Sequence, residues 1–161
     1  MKRPPQERHG ARGLRFALLG SAFNAPVVDG LLEGARGELA RAGCRPGDVE
    51  LLRAPGAFEL PLAALAAARS GRYDALVALG AVIRGETDHY EHIAREAAAG
   101  LAAVARDTGV PVGFGVLTCE TEAQALARSA PGDGNKGAEA ARAALAMVHL
   151  LAGLRPRRRR G

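Results

Sequence analysis

The sequence contains no tryptophan, and its aromatic residues amount to four phenylalanines and two tyrosines in 161 residues. So few rings argue against a nucleic-acid module that works by stacking bases on aromatic side chains. Cysteine is equally scarce. Cys44 and Cys119 stand in different segments without metal-ligand spacing, and they read as reduced thiols rather than a disulfide or a metal site. Cys119 falls near a strand end, yet the sequence points no separate base at it, so a nucleophilic role is not expected. Hydrophobic residues make up 48% of the chain, but no run approaches the roughly 20 apolar residues of a membrane span. The first residues also lack the apolar stretch of a signal peptide, so a cytoplasmic protein without a membrane partner is expected.

The folded body lacks the positive charge that a whole-chain net of +5 suggests. Lys2, Arg3, Arg8 and Arg12 against Glu7 give residues 1–13 a net of +3, and Arg155 with Arg157 to Arg160 give residues 155–161 a net of +5, so residues 14–154 carry −3. The charge therefore sits in two tails, a flexible basic N-terminal segment (1–13) and an Arg-rich C-terminal tail (155–161), around a single domain over 14–154. The tail can attract polyanions without specificity; no specific nucleic-acid partner is expected.

What the chain does contain is a regular alternation of short apolar runs and amphipathic stretches. Arg15 to Gly20, Asp48 to Arg53, Asp74 to Leu79 and Val110 to Leu117 read as strands. Between and after them, Pro26 to Ala42, Phe58 to Ser70, a long run opening at His89, Thr121 to Ser129 and Asn135 to Gly153 read as helices. Asp74 to Leu79 is apolar almost without a break, as befits a strand covered on both faces. The pattern predicts an α/β fold, a three-layer αβα sandwich around a mainly parallel four-stranded sheet.

In such folds the ligand sits outside the carboxyl ends of the strands. Phe23 and Asn24 follow the first strand, and an aromatic in that loop reads as a stacking platform for a flat ring. Asn24 has two competing roles, reading ring edges or capping the helix that begins near Pro26. Glu59, behind the Pro55-Gly56 turn, either accepts hydrogen bonds from a polyol or complements a helix start. After the third strand, Gly85 breaks the chain and Glu86-Thr87-Asp88 open a helix whose free N–H groups favour an anion such as phosphate. His89, in the first turn of that helix, is expected as a neutral imidazole able to take up a proton. Lys136 places a cation at a helix start, where the dipole disfavours it, and that suggests a ligand. Arg128 suits a phosphate or simply the end of its own short helix.

Six fragments carry a resemblance to one family: Phe23-Asn24, Pro55-Gly-Ala-Phe-Glu-Leu-Pro61, Gly80-Ala-Val-Ile-Arg-Gly-Glu-Thr-Asp-His-Tyr90, Gly113-Phe-Gly-Val-Leu-Thr118, Gln124-Ala-Leu-Ala-Arg128 and Gly134-Asn-Lys-Gly137. In this order, from about Phe16 to Leu151, they resemble the lumazine synthase family of riboflavin biosynthesis. The resemblance implies a flavodoxin-like fold and condensation of 5-amino-6-(D-ribitylamino)uracil with 3,4-dihydroxy-2-butanone 4-phosphate, releasing phosphate and water, without metal or organic cofactor. It also implies the site. Phe23 stacks on the pyrimidine with Asn24 nearby, and backbone groups of Ala81, Val82 and Ile83 hold its edges. Ala57, Phe58 and Glu59 line the ribityl chain, Glu86 and Thr87 offer N–H groups to the phosphate, Arg128 pairs with it, and His89 moves protons. Phe114 and Lys136 close the pocket. The family builds each site between two subunits, so Phe114, Arg128 and Lys136 are expected from the neighbour of the chain giving His89. A homopentamer or a larger shell is implied, with riboflavin synthase as a partner.

Glu86 beside a phosphate, Cys119-Glu120, and Ser129-Ala-Pro-Gly-Asp133 depart from the family pattern. Two rival functions share the architecture: a flavin or lumazine carrier without turnover, and a shell subunit with a vestigial site. His89, Arg128 and Lys136 together favour the enzyme, because a passive pocket needs no proton shuttle beside a phosphate cradle.

Overall fold

The structure is a computed structural model that describes residues 8–156. The expected basic segment through residue 7 and the arginines from 157 onward lie outside the described residues. Four strands, β1 (Phe16–Ser21), β2 (Val49–Ala54), β3 (Ala75–Ile83) and β4 (Val112–Cys119), form one all-parallel sheet in the order β2-β1-β3-β4. Five helices connect or follow them: α1 (Ala25–Arg41), α2 (Leu60–Arg69), α3 (His89–Thr108), α4 (Glu122–Ser129) and α5 (Lys136–Gly153). This is the expected α/β/α arrangement.

Strand position explains strand composition. β1 is buried throughout and β3 nearly so, and both read as unbroken apolar runs because they lie inside the sheet with helices on both faces. The edge strands β2 and β4 alternate more. Phe16, Leu18, Val77 and Leu79 turn to one face and pack with α1, α4 and α5, whereas Ala17, Leu19, Leu76 and Ala78 turn to the other and pack with α2 and α3. Gly43, at φ +94, ends α1 in a conformation that a side chain would strain.

The element boundaries depart from expectation where backbone hydrogen bonds decide. β3 runs to Ile83, beyond the expected Leu79, because its ladder with β4 continues to the Ile83–Cys119 pair. β4 begins at Val112 rather than Val110, since Pro111 lacks an N–H and contributes only its carbonyl, which accepts from Leu76. The expected helix from Phe58 divides into a 3₁₀ turn at Ala57–Glu59 and α2, whose first turn holds Pro61. Within the basic N-terminal segment, Ala11 is fully buried and donates its N–H to Ala42 O at 2.8 Å, so the described part of that segment packs against the body.

Candidate active site

The loops at the carboxyl ends of β1, β2 and β3 converge on a cavity of about 670 Å³, within the roughly 300–1,000 Å³ usual for small-molecule sites. Two backbone bonds lay the first loop along the second: Ala22 N–H to Ala54 O at 2.8 Å and Phe23 N–H to Pro55 O at 3.2 Å. The Phe23 ring is left 72% exposed on the cavity wall, and Phe58, also on that wall, is 59% exposed. Asn24 adopts the left-handed conformation at φ 59, which asparagine tolerates better than most residues, and its side chain makes no cap bond to α1. Its amide Nδ2 instead donates to Ala81 O at 2.9 Å, tying the β1 loop to the end of β3. The capping role is thus set aside.

Ala57, Phe58 and Glu59 line the same cavity with Ala81, Val82 and Ile83. Glu59 precedes α2 without a side-chain cap bond. Its carboxylate folds back over the turn, where a Cβ placed on Gly56 would lie 3.1 Å from Oε2. Phe23, Phe58 and Glu59 therefore give the cavity two open rings and one carboxylate, a combination suited to a flat ring carrying a polyol.

The turn after β3 supplies the remaining wall. Arg84 N–H donates to Cys119 O at 2.9 Å and closes the sheet there. Beyond it, the N–H groups of Gly85, Glu86 and Thr87 have no hydrogen-bond acceptor among the described residues. Thr87 Oγ1 accepts weakly from His89 N–H at 3.5 Å, and no side chain caps α3. Gly85, Thr87 and the exposed His89 line the cavity, whereas Glu86 does not. An uncapped helix start with open donors is a ready anion site, and the imidazole stands at its mouth.

The other three expected residues lie apart within the chain. Phe114, half exposed on edge strand β4, and Lys136, at the start of α5, line a separate cavity of about 400 Å³. Lys136 Nζ pairs with Glu139 Oε2 at 2.9 Å, which offsets its unfavourable place at a helix start. Arg128 is exposed on α4, and its Nη1 donates to Gln124 O at 3.1 Å, the local role available to a helix-end arginine. Tyr90, Ile93, Pro55 and Gly56 also line the first cavity and were not singled out from sequence. The spacing of Tyr90 and Ile93, three apart on one helix face, was the available signal.

Both cysteines are buried. Cys44 Sγ–H donates to Leu14 O at 3.5 Å, and burial, with Asp48 second, pushes the thiol pKa up. No group of three or more His, Cys, Asp or Glu able to hold a metal occurs among the described residues, and no helix there is long and apolar enough to cross a membrane.

Comparison with known proteins gives the family of the chain. The family model described as 6,7-dimethyl-8-ribityllumazine synthase matches residues 13–152. The chain belongs to the lumazine synthase family. It is 50% identical over 141 residues to the 6,7-dimethyl-8-ribityllumazine synthase of Nitratidesulfovibrio vulgaris (strain Miyazaki F), a stretch covering 88% of this chain and 90% of that protein. To the protein of the same name from Halorhodospira halophila it is 52% identical over 137 residues, 85% of this chain and 88% of the relative. Like those lumazine synthases, it is an enzyme of riboflavin biosynthesis.

Proposed function

We propose that the chain condenses 5-amino-6-(D-ribitylamino)uracil with 3,4-dihydroxy-2-butanone 4-phosphate to 6,7-dimethyl-8-ribityllumazine, in the cytoplasm and without metal or organic cofactor. The observation that carries this reading is the convergence of Phe23, Glu59, the β3 end and the open turn before His89 on one cavity. The ring amine attacks the ketone carbon, water leaves as the imine forms, phosphate is eliminated, and the second amine closes the ring with loss of water. Each step moves protons, and none needs more from the protein than held partners and a proton shuttle. Phe23 stacks on the pyrimidine, Asn24 holds the β3 end against which it lies, and backbone groups of Ala81 to Ile83 meet its edges. Ala57, Phe58 and Glu59 receive the ribityl chain. The N–H groups of Glu86 and Thr87 receive the phosphate, with the Glu86 carboxylate turned away, and His89 relays protons between the substrates.

Phe114, Arg128 and Lys136 complete the site from a neighbouring subunit of a homopentamer. Support comes from the gap within one chain: among the described residues the first cavity is lined by no Lys or Arg, and the second by Phe114 and Lys136 without an imidazole. The catalytic domain spans residues 14–154, the Arg-rich tail is dispensable for turnover, and riboflavin synthase is a partner in use of the product. Incubating the purified protein with both substrates tests the activity: lumazine absorbance should appear in proportion to protein, and its absence at saturating substrates would leave only a binding or shell-forming role.

A further inference from the structure

The turn proposed to hold phosphate has an electrostatic difficulty. Between Arg72 and Arg95 the sequence carries one Lys or Arg, Arg84, while Glu86, Asp88 and Glu91 crowd the five residues around His89. All three carboxylates are exposed. An open helix start attracts an anion, but three nearby negative charges oppose a phosphate dianion across distances that salt screens only partly.

Arg84 is placed to offset them. Its backbone is fixed by the bond from its N–H to Cys119 O at 2.9 Å. Its guanidinium carbon lies 5.9 Å from the centre of the Tyr90 ring, and Tyr90 lines the cavity. The guanidinium thus lies beside a residue of the cavity wall without itself lining the cavity. Successive Cα atoms are about 3.8 Å apart, so the Arg84 backbone is at most about 8 Å from that of Glu86, inside the roughly 10 Å screening length of 0.1 M salt. The only charged partner of Arg84 among the described residues is Glu120, whose Oε1 stands 3.8 Å from Nη1 with both side chains more than half exposed (52% and 69%). A contact that long and that wet contributes little and is readily exchanged for a stronger acceptor such as phosphate.

We propose that Arg84 is a second positioning residue for the phosphate group, supplied by the same chain as His89, and that Glu120 competes with the phosphate for it. The inference rests on the phosphate reading of the turn. Arg84 lies over Tyr90 and contacts Glu120 loosely; an arriving phosphate draws the guanidinium across the Tyr90 ring and displaces Glu120. Tyr90 keeps the side chain from ranging freely, which lowers the ordering cost of the contact.

The test is inhibition by inorganic phosphate, with steady-state constants for each substrate, in the full-length Arg84→Gln, Arg84→Lys, Glu120→Gln and Arg128→Ala proteins at low and high salt. Arg84→Gln should weaken phosphate inhibition and raise KM for the butanone phosphate by about fivefold at low salt, the scale of one exposed charge contact. It should move the KM for the pyrimidine less than twofold by the same reasoning. Arg84→Lys should restore much of the loss, and Glu120→Gln should tighten phosphate. If Arg84→Gln leaves phosphate inhibition unchanged while Arg128→Ala weakens it, Arg84 does not act on phosphate and the phosphate site itself stands. Equal loss for both substrates in Arg84→Gln would make its role structural and overturn the proposal. If neither variant changes phosphate inhibition, the phosphate reading of the turn falls with it.

Discussion

Two helix starts in this molecule look alike in sequence and differ in what they do with their free N–H groups. Before α3 stands Gly85-Glu-Thr-Asp-His89, and before α5 stands Gly134-Asn-Lys-Gly137. At α5 the donors are answered from within. Asn135 is 2% exposed, its Oδ1 accepts from Ala138 N–H at 3.0 Å, and its Nδ2 donates to Gly30, Ser129 and Ala130 carbonyls at 3.0, 2.9 and 3.1 Å. At α3 no side chain caps the helix, and the N–H groups of Gly85, Glu86 and Thr87 before it have no acceptor among the described residues. One turn therefore holds two helices together, and the other is open to a ligand. A glycine turn with a charged residue is not in itself a site; the difference lies in whether its donors are already used.

Breaking the closed turn should cost stability first. Asn135→Ala removes the cap of α5 and takes the side-chain donor from the carbonyls of Gly30, Ser129 and Ala130, of which Ser129 is buried, and it should lower the unfolding free energy by about 3 kcal/mol in equilibrium denaturation. Breaking the open turn should cost rate. His89→Ala should reduce turnover by about 100-fold, the low end for lost acid-base help, because the bound partners react slowly unaided. Its unfolding free energy should change by less than about 0.5 kcal/mol, since the ring is exposed. An undiminished rate across pH would remove His89 from the mechanism.

Arg128→Ala sharpens the comparison at one substrate. Loss of a charge-assisted contact should raise KM for the butanone phosphate by roughly tenfold and leave the pyrimidine nearly unaffected. Equal effects on both substrates would mean that Arg128 supports structure.

The smallest effect belongs to the opposite end of the sheet, where Tyr73 Oη–H donates to Glu50 Oε2 and Arg72 Nη2 pairs with the same oxygen at 2.6 Å. The Tyr73 bond, ahead of Arg72, holds the Glu50 carboxyl below its usual pKa, and burial followed by the Glu50 bond raises that of Tyr73. A depressed carboxyl pKa contributes stability above the unfolded value that is lost as pH falls through the folded one. Glu50→Gln should therefore melt slightly lower than the parent at neutral pH, with the gap closing in acid. A gap that widened in acid would contradict the sign, and activity at neutral pH should not change.

Much of the fold was legible because its signals are local. Unbroken apolar runs marked β1 and β3 and Pro26 marked a helix start, whereas the second helix, expected from Phe58, begins at Leu60. The cavity wall was legible because Phe23, Glu59 and His89 follow strands whose order places them together. What escaped needs contacts across the chain. The hub role of Asn135 depends on Gly30, 105 residues away, and on Gly34 and Gly137, where a Cβ would lie 1.9 Å from Asn135 Oδ1 and from Leu31 O respectively. Nothing local distinguishes those glycines from turn glycines. Asn24 was ambiguous for a related reason: its amide is committed to Ala81 O, 57 residues on. Phe114 on edge strand β4 and Lys136 at the start of α5 line the second cavity and Arg128 is exposed on α4, so none of the three lines the cavity of His89, and the composition of those segments does not reveal it.

That separation makes subunit mixing the most direct test of a site shared between chains. His89→Ala and Arg128→Ala proteins, each assayed at a low concentration of the butanone phosphate where both are slow, are unfolded together, refolded as one mixture and assayed again. With random assembly about one quarter of the interfaces should pair an intact His89 with an intact Arg128, and activity should rise toward that fraction of the parent's. Activity no greater than the mean of the two variants, after mass spectrometry has verified mixed assemblies, would contradict the shared site.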